Sequence, residues 1–174
     1  MCRRREAIEK ARMTGNYVKT SQEAQSLPNA AFAELMTAVL DKNAPFRFTA
    51  PGFSMTPFIR DGDVLTIAQR RLRYGDVVAF VNPCRGKLTV HRIIHVSRSG
   101  YLIKGDNTPE PDGRVPRSSI IGRVVRVEHC GRQVWLGMGI ERIIIAFLSR
   151  RGWLMPVVWS VWHIVRPLAK RWMR

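Results

Sequence analysis

The feature that most constrains this chain is the punctuation between Phe46 and Leu136. Short apolar runs there alternate with turn-forming residues and leave no room for long helices. Candidate strands are Phe46–Thr49, Val64–Ala68, Val77–Val81, Leu88–Val96, Tyr101–Lys104, Ile120–Val127 and Gln133–Leu136. Asp61-Gly62, Tyr74-Gly75-Asp76, Asn82-Pro83, Ser99-Gly100, Pro111-Asp112-Gly113 and Cys130-Gly131 separate them. Glycine supplies positive φ, proline pre-sets its own φ, and Asp and Asn bond back to nearby backbone, so each cluster reads as a turn. The spacing predicts a mainly β fold: one compact, mostly antiparallel domain. The βαβ rhythm of a nucleotide-binding sheet is missing.

Helical patterning lies at the two ends. Asn29 is placed to cap a helix through Phe32, Leu35, Met36, Val39 and Leu40, which recur at helical spacing. Pro45 forbids its continuation. Beyond Gly139 the chain offers two apolar pieces, Ile140–Leu148 and Trp153–Val165, broken by Arg150-Arg151-Gly152. The predicted organisation is a polar basic arm over 1–27, a β domain with its leading helix over 28–138, and a basic, Trp-rich helical tail over 139–174.

Charge narrows the partners. There are 29 Lys+Arg against 13 Asp+Glu, a formal net charge of +16. Such an excess suits a polyanion, either nucleic acid or an anionic membrane surface. From residue 141 onward Arg142, Arg150, Arg151, Arg166, Lys170, Arg171 and Arg174 face only Glu141, and they flank tryptophans and aliphatics. That pattern points to a peripheral anionic membrane reached through the tail, and away from nucleic acid. No run reaches the roughly 20 apolar residues that span a bilayer. The arginines near the N-terminus are not followed by an apolar stretch, so no secretory signal is expected. Cys2, Cys84 and Cys130 are odd in number and form no Cys-x-x-Cys. They read as free thiols in a reducing compartment, with a cytoplasmic or peripheral-membrane location. No metal or other cofactor is expected.

The candidate chemistry starts at Gly52-Phe53-Ser54-Met55-Thr56-Pro57. A nucleophilic serine needs an exposed hydroxyl and nearby backbone N–H groups for an oxyanion. Gly52 permits close backbone approach there. In order after it come Gly75-Asp76-Val77-Val78-Ala79-Phe80, then Val90-His91-Arg92-Ile93-Ile94, then Lys104-Gly105-Asp106-Asn107, then Asp112 and Ile120-Ile121-Gly122-Arg123. His91 and His95 share a face by strand alternation, so a metal site with an aspartate is conceivable, but no ligand spacing supports it.

Taken in order, these blocks resemble the signal peptidase I family from about residue 46 to 128. The bacterial-type members carry a lysine where His91 stands. The chain is therefore similar to the archaeal and endoplasmic-reticulum type, which uses Ser, His and Asp. The resemblance implies a β peptidase domain of the signal peptidase/LexA type. It implies Ser54 as nucleophile, His91 as general base, and Asp112 or Asp106 as the carboxylate behind it. The backbone N–H of Ser54, with Gly52 beside it, would hold the oxyanion. Lys104 lies outside the base position. The implied substrate is a precursor or signal peptide, cut after a small residue while extended along a sheet edge. No counterpart of the family's N-terminal membrane helix is expected in this sequence, and the basic tail is its candidate replacement. The alternatives are a self-cleaving protein of the LexA kind and a non-catalytic basic binding module on the same scaffold.

Overall fold

A computed structural model describes residues 18–19, 29–83, 85–160 and 163. The fold is the mainly antiparallel β domain that the turn spacing predicts. In chain order the elements are β1 (Val18–Lys19), α1 (Asn29–Asp41), β2 (Phe46–Thr49), β3 (Val64–Ala68), β4 (Val77–Val81), β5 (Leu88–Ser97), β6 (Gly100–Lys104), β7 (Arg114–Val115), β8 (Ile120–His129), β9 (Arg132–Val134) and α2 (Arg142–Arg151). A last helical piece, α3 (Leu154–Ser160), follows at a 113° bend. The strands form one sheet in the order β1-β2-β3-β8-β4-β5-β6-β7, with β9 also paired to β8. Every pairing is antiparallel except that of β1 with β2.

Three strands, β2, β3 and β4, match their sequence boundaries residue for residue. The two-residue strands β1 and β7 were not anticipated, since two residues carry no period. The expected strand Gln133–Leu136 is displaced to Arg132–Val134, which frees Trp135 and Leu136 into the following turn.

β4 explains why the sheet has two cores. It is buried on both faces, so Val77 and Ala79 enter one apolar cluster while Val78 and Phe80 enter another. The first cluster is capped by α1, whose Phe32, Met36 and Leu40 face the sheet at a four-residue spacing. Phe32 meets Phe46 and Phe48 edge-on, at 5.6 and 5.8 Å between centroids, an arrangement aromatic quadrupoles favour. The second cluster joins Ile93, Tyr101, Ile103 and Val115 from β5, β6 and β7.

Up to Ser160 the tail is largely helical, as expected, and its first helix docks on the β domain. Ile145, Ala146 and Ser149 of α2 are buried, and Lys104 Nζ donates to the Ser149 carbonyl at 2.9 Å. Gly152 ends α2 in the left-handed region, where glycine alone carries no steric penalty. Trp162 and the basic residues from Arg166 onward lie outside the described residues, as do Cys2 and Cys84.

Glu141 organises the entry to α2. Its Oε1 accepts the N–H groups of Gly137 and Gly139 at 2.8 and 2.9 Å. Burial raises the Glu141 carboxyl, but backbone N–H donors at Glu141, Gly139, Gly137 and Met138 outweigh it and hold it below the usual carboxylate range. A carboxyl lowered by folding stabilises the native state above its unfolded value. That contribution is lost as pH falls through the folded value. Glu141→Gln should therefore melt below wild type at neutral pH, with the difference closing in acid. Thermal melts of both proteins across pH check this, and parallel curves would contradict it.

A candidate active site between the serine turn and strand β5

Ser54 sits on a compact turn after β2. Met55 and Ile59 are buried and anchor it, and the Phe58 and Ile59 N–H groups close back onto the Met55 carbonyl. The Thr56–Pro57 peptide bond is cis. Gly52 enters the turn at φ +96°, a region that favours glycine. The Gly52 N–H donates to Asp61 Oδ1 at 2.7 Å. Gly52 therefore shapes the turn, and its N–H is engaged by Asp61. The Ser54 N–H bonds to no acceptor among the described residues and remains the available donor.

His91 lies on β5 opposite Val78 and is nearly buried. Its Nε2 is 2.9 Å from Ser54 Oγ, and its Nδ1 is 2.5 Å from Asp112 Oδ2. With a carboxylate on Nδ1, that nitrogen carries the proton and Nε2 is left to accept from the serine hydroxyl. The Asp112 main-chain N–H donates to the Ile103 carbonyl at 2.9 Å, which ties the Pro111-Asp112-Gly113 loop to β6. Asn82 Nδ2 donates to Asp112 Oδ1 at 3.2 Å. Arg85 N–H donates to the Asn82 Oδ1, so the amide is oriented with its NH₂ toward the carboxylate.

Asp106 is separate from this chain of contacts, which corrects its place among the catalytic candidates. Both its oxygens bind Arg92, with Nε at 2.9 and 3.2 Å and Nη2 at 2.7 Å. Arg92 is 0% exposed. Its Nη1 also donates to the carbonyls of Gly75 and Gly137, each at 2.9 Å, and its guanidinium lies over the Phe58 ring. A buried ion pair persists when hydrogen bonds satisfy its remaining atoms, and here they do. Asp106 thus holds the Gly-Asp-Asn loop, whose Asn107 N–H donates to the Ser54 carbonyl at 2.8 Å. Gly105 makes that approach feasible. A Cβ there would stand 2.7 Å from the Ser54 carbonyl oxygen and 2.9 Å from His91 Nε2.

His95 and Lys104 both have partners on α2. β5 changes register between Ile93 and His95, so Ile93 pairs with Ile103 while His95 pairs with Leu102. Ile103 and Leu102 are adjacent and face opposite sides. The irregularity therefore puts His95 on the face opposite His91, where Arg150 Nη1 lies 3.3 Å from its Nδ1. The shared-face reading of the two histidines fails for this reason. Lys104 is held by Ser149 at the base of α2 and does not contact Ser54.

Around Ser54 and His91 opens a cleft of about 950 Å³. Phe32, Phe48, Leu65, Leu88 and Val90 give it apolar walls, and Arg85 and Lys87 stand at one rim. Asn82 and Gly105 are the functional positions that sequence reading passed over. Asn82 reads as an ordinary turn residue before proline. Only the hairpin geometry aims its amide at Asp112.

Removing the Asn82 amide should loosen Asp112 without unfolding the domain. One hydrogen bond to a charged group, at about 1.5 kcal/mol, corresponds to roughly tenfold in rate. Asn82→Ala should slow phosphonylation of Ser54 by a fluorophosphonate by about that factor. Asn82→Asp should slow it further, because a second carboxylate would face Asp112. Unchanged labelling kinetics in both would show that Asp112 is positioned without it.

No curated protein matches the chain. A protein-family model described as Peptidase S24-like matches residues 14–125, a span that takes in α1, the serine turn, β5, Asp112 and most of the sheet. The fold and that match together show that the chain belongs to the Peptidase S24-like family of serine peptidases.

Proposed function

We propose that the chain is a serine endopeptidase that works by Ser-His-Asp acyl transfer and cuts a precursor or signal peptide after a small residue. The observation that carries this is the continuous contact Ser54 Oγ–His91 Nε2 and His91 Nδ1–Asp112 Oδ2. His91 takes the Ser54 proton as Oγ adds to the scissile carbonyl carbon. The Ser54 N–H stabilises the resulting oxyanion. The C–N bond then breaks as His91 returns the proton to the leaving amine, which leaves an acyl-serine. Water, deprotonated by the same imidazole, releases the acid product. Asp112 orients the ring and stabilises the imidazolium throughout.

The cleft supports an extended substrate. Residues Leu88–His91 pair with β4 on one side, while β6 begins pairing only at Arg92. Their other edge therefore faces the cleft. A peptide laid there as an added strand would be held by main-chain hydrogen bonds, with alternate side chains turned into the apolar walls. The preference for a small residue before the cut comes from the resemblance to signal peptidases. The contact between Lys104 and Ser149 disfavours the Ser-Lys chemistry of LexA-type self-cleavage.

A peptide library read by mass spectrometry tests the reading. Ser54→Ala and His91→Ala should each lower cleavage by at least about 10³-fold while circular dichroism stays native. Lys104→Ala should retain turnover. Cuts that persist in Ser54→Ala would remove the peptidase assignment. Activity kept by His91→Ala but lost in Lys104→Ala would move the base. His91→Lys should not restore activity. Asp112 would hold the new ammonium protonated, and a lysine base needs an apolar site that lowers its pKa.

A further inference from the structure

The segment from Trp135 to Ser160 has two apolar sides. On α2, Ile145, Ala146 and Ser149 are buried against the β domain, yet Ile143, Ile144 and Phe147 on other sides of the same helix are exposed. A helix that is apolar beyond its packed stripe is expected to have a second apolar environment. The exposure continues on both flanks. Trp135 is 74% and Ile140 84% exposed in the turn before α2, and Trp153 is 56% exposed after it. Scattered exposed aliphatics need no explanation, but this many in consecutive segments do.

The charges around these side chains have one sign available to a partner. Glu141 is the only acid between residues 135 and 160, and its carboxylate is turned to the backbone N–H groups of Gly137 and Gly139. Arg150 and Arg151 are exposed, and the Arg151 guanidinium lies over the Phe147 ring, a cation–π contact on the outer side of the helix. No single helix among the described residues is long and apolar enough to cross a bilayer, and α2 and α3 are bent by 113°. Tryptophan, aliphatic surface and peripheral arginine are the combination that settles at the headgroup boundary.

We propose that the turn at Trp135–Ile140 and the outer face of α2 form a docking surface for an anionic lipid layer, with Trp153 at its far end. The surface lies on the folded domain and does not depend on the residues beyond Ser160. It is joined to the peptidase site, because the Gly137 carbonyl in its first turn accepts from Arg92, which also holds Asp106. Binding there would hold the cleft beside a lipid surface. The inference stands independently of the Ser54 chemistry.

Flotation of the full-length protein with vesicles tests it, using phosphatidylcholine alone and phosphatidylcholine mixed with phosphatidylglycerol. Wild type and Ser54→Ala should both float with the anionic vesicles, and far less with the neutral ones. Three double variants, each checked for native circular dichroism, probe the surface: Trp135→Ser with Leu136→Ser, Ile144→Ser with Phe147→Ser, and Arg150→Glu with Arg151→Glu. Each should weaken anionic binding by at least about tenfold. Undiminished binding in all three, with loss only on removing residues 161–174, would overturn the proposal. So would concentration-dependent dimerisation, by analytical ultracentrifugation, that the same substitutions abolish, since a second copy would then be the occupant.

Discussion

The ion pair between Arg92 and Asp106 is the interaction on which the rest of this site depends. Removing two charges from water costs several kcal/mol per ion, and the loss is offset only when geometry and further hydrogen bonds are good. Here one guanidinium meets both carboxylate oxygens, two main-chain carbonyls and an aromatic face. Those partners belong to four separated stretches: the Gly75 turn, the Gly137 turn, the Gly-Asp-Asn loop and the Phe58 end of the serine turn. An unpaired charge at this depth is so costly that the four stretches must converge together.

That convergence sets the geometry at Ser54. Asp106 secures the loop that carries Asn107, and Asn107 holds the serine carbonyl. Gly105, between Lys104 and Asp106, leaves space that a side chain would occupy. His91 precedes Arg92 on β5 and therefore projects to the other face of the strand. The strand thus buries a structural cation on one side and presents an imidazole to the serine on the other. The alternation of a single β-strand separates the two roles.

The same economy appears at the larger scale. β4 lies between two apolar clusters and leads directly to Asn82, which orients Asp112. α2 covers one face of the sheet through Ile145 and Ala146 and leaves Ile144 and Phe147 outward. Elements that complete the core also carry the groups that face the cleft or the outer surface. A change in packing at β4 or α2 would consequently be felt at the site as well as in stability.

Much of the fold was legible because its signals are local. Turn chemistry and short apolar runs determined the strands Phe46–Thr49, Val64–Ala68 and Val77–Val81, and helical spacing with Asn29 and Pro45 determined α1. The order of the blocks around Ser54, His91 and Asp112 was legible too, through their resemblance to a peptidase family. Relations between distant residues were not. Whether Asp106 or Asp112 stands behind His91 depends on which loop folds over which face, and sequence spacing does not encode that. The pairing of His95 depends on an irregularity in β5 that breaks the period of two on which the sequence argument relied. The consumption of the Gly52 N–H by Asp61, the aim of Asn82 and the two apolar sides of α2 are likewise matters of contact. The sequence by itself determined the elements and the chemical groups available. Tertiary structure decided which groups meet, because a hydrogen bond or buried charge is specified by three-dimensional distance and solvent exclusion, and neither is a property of chain position.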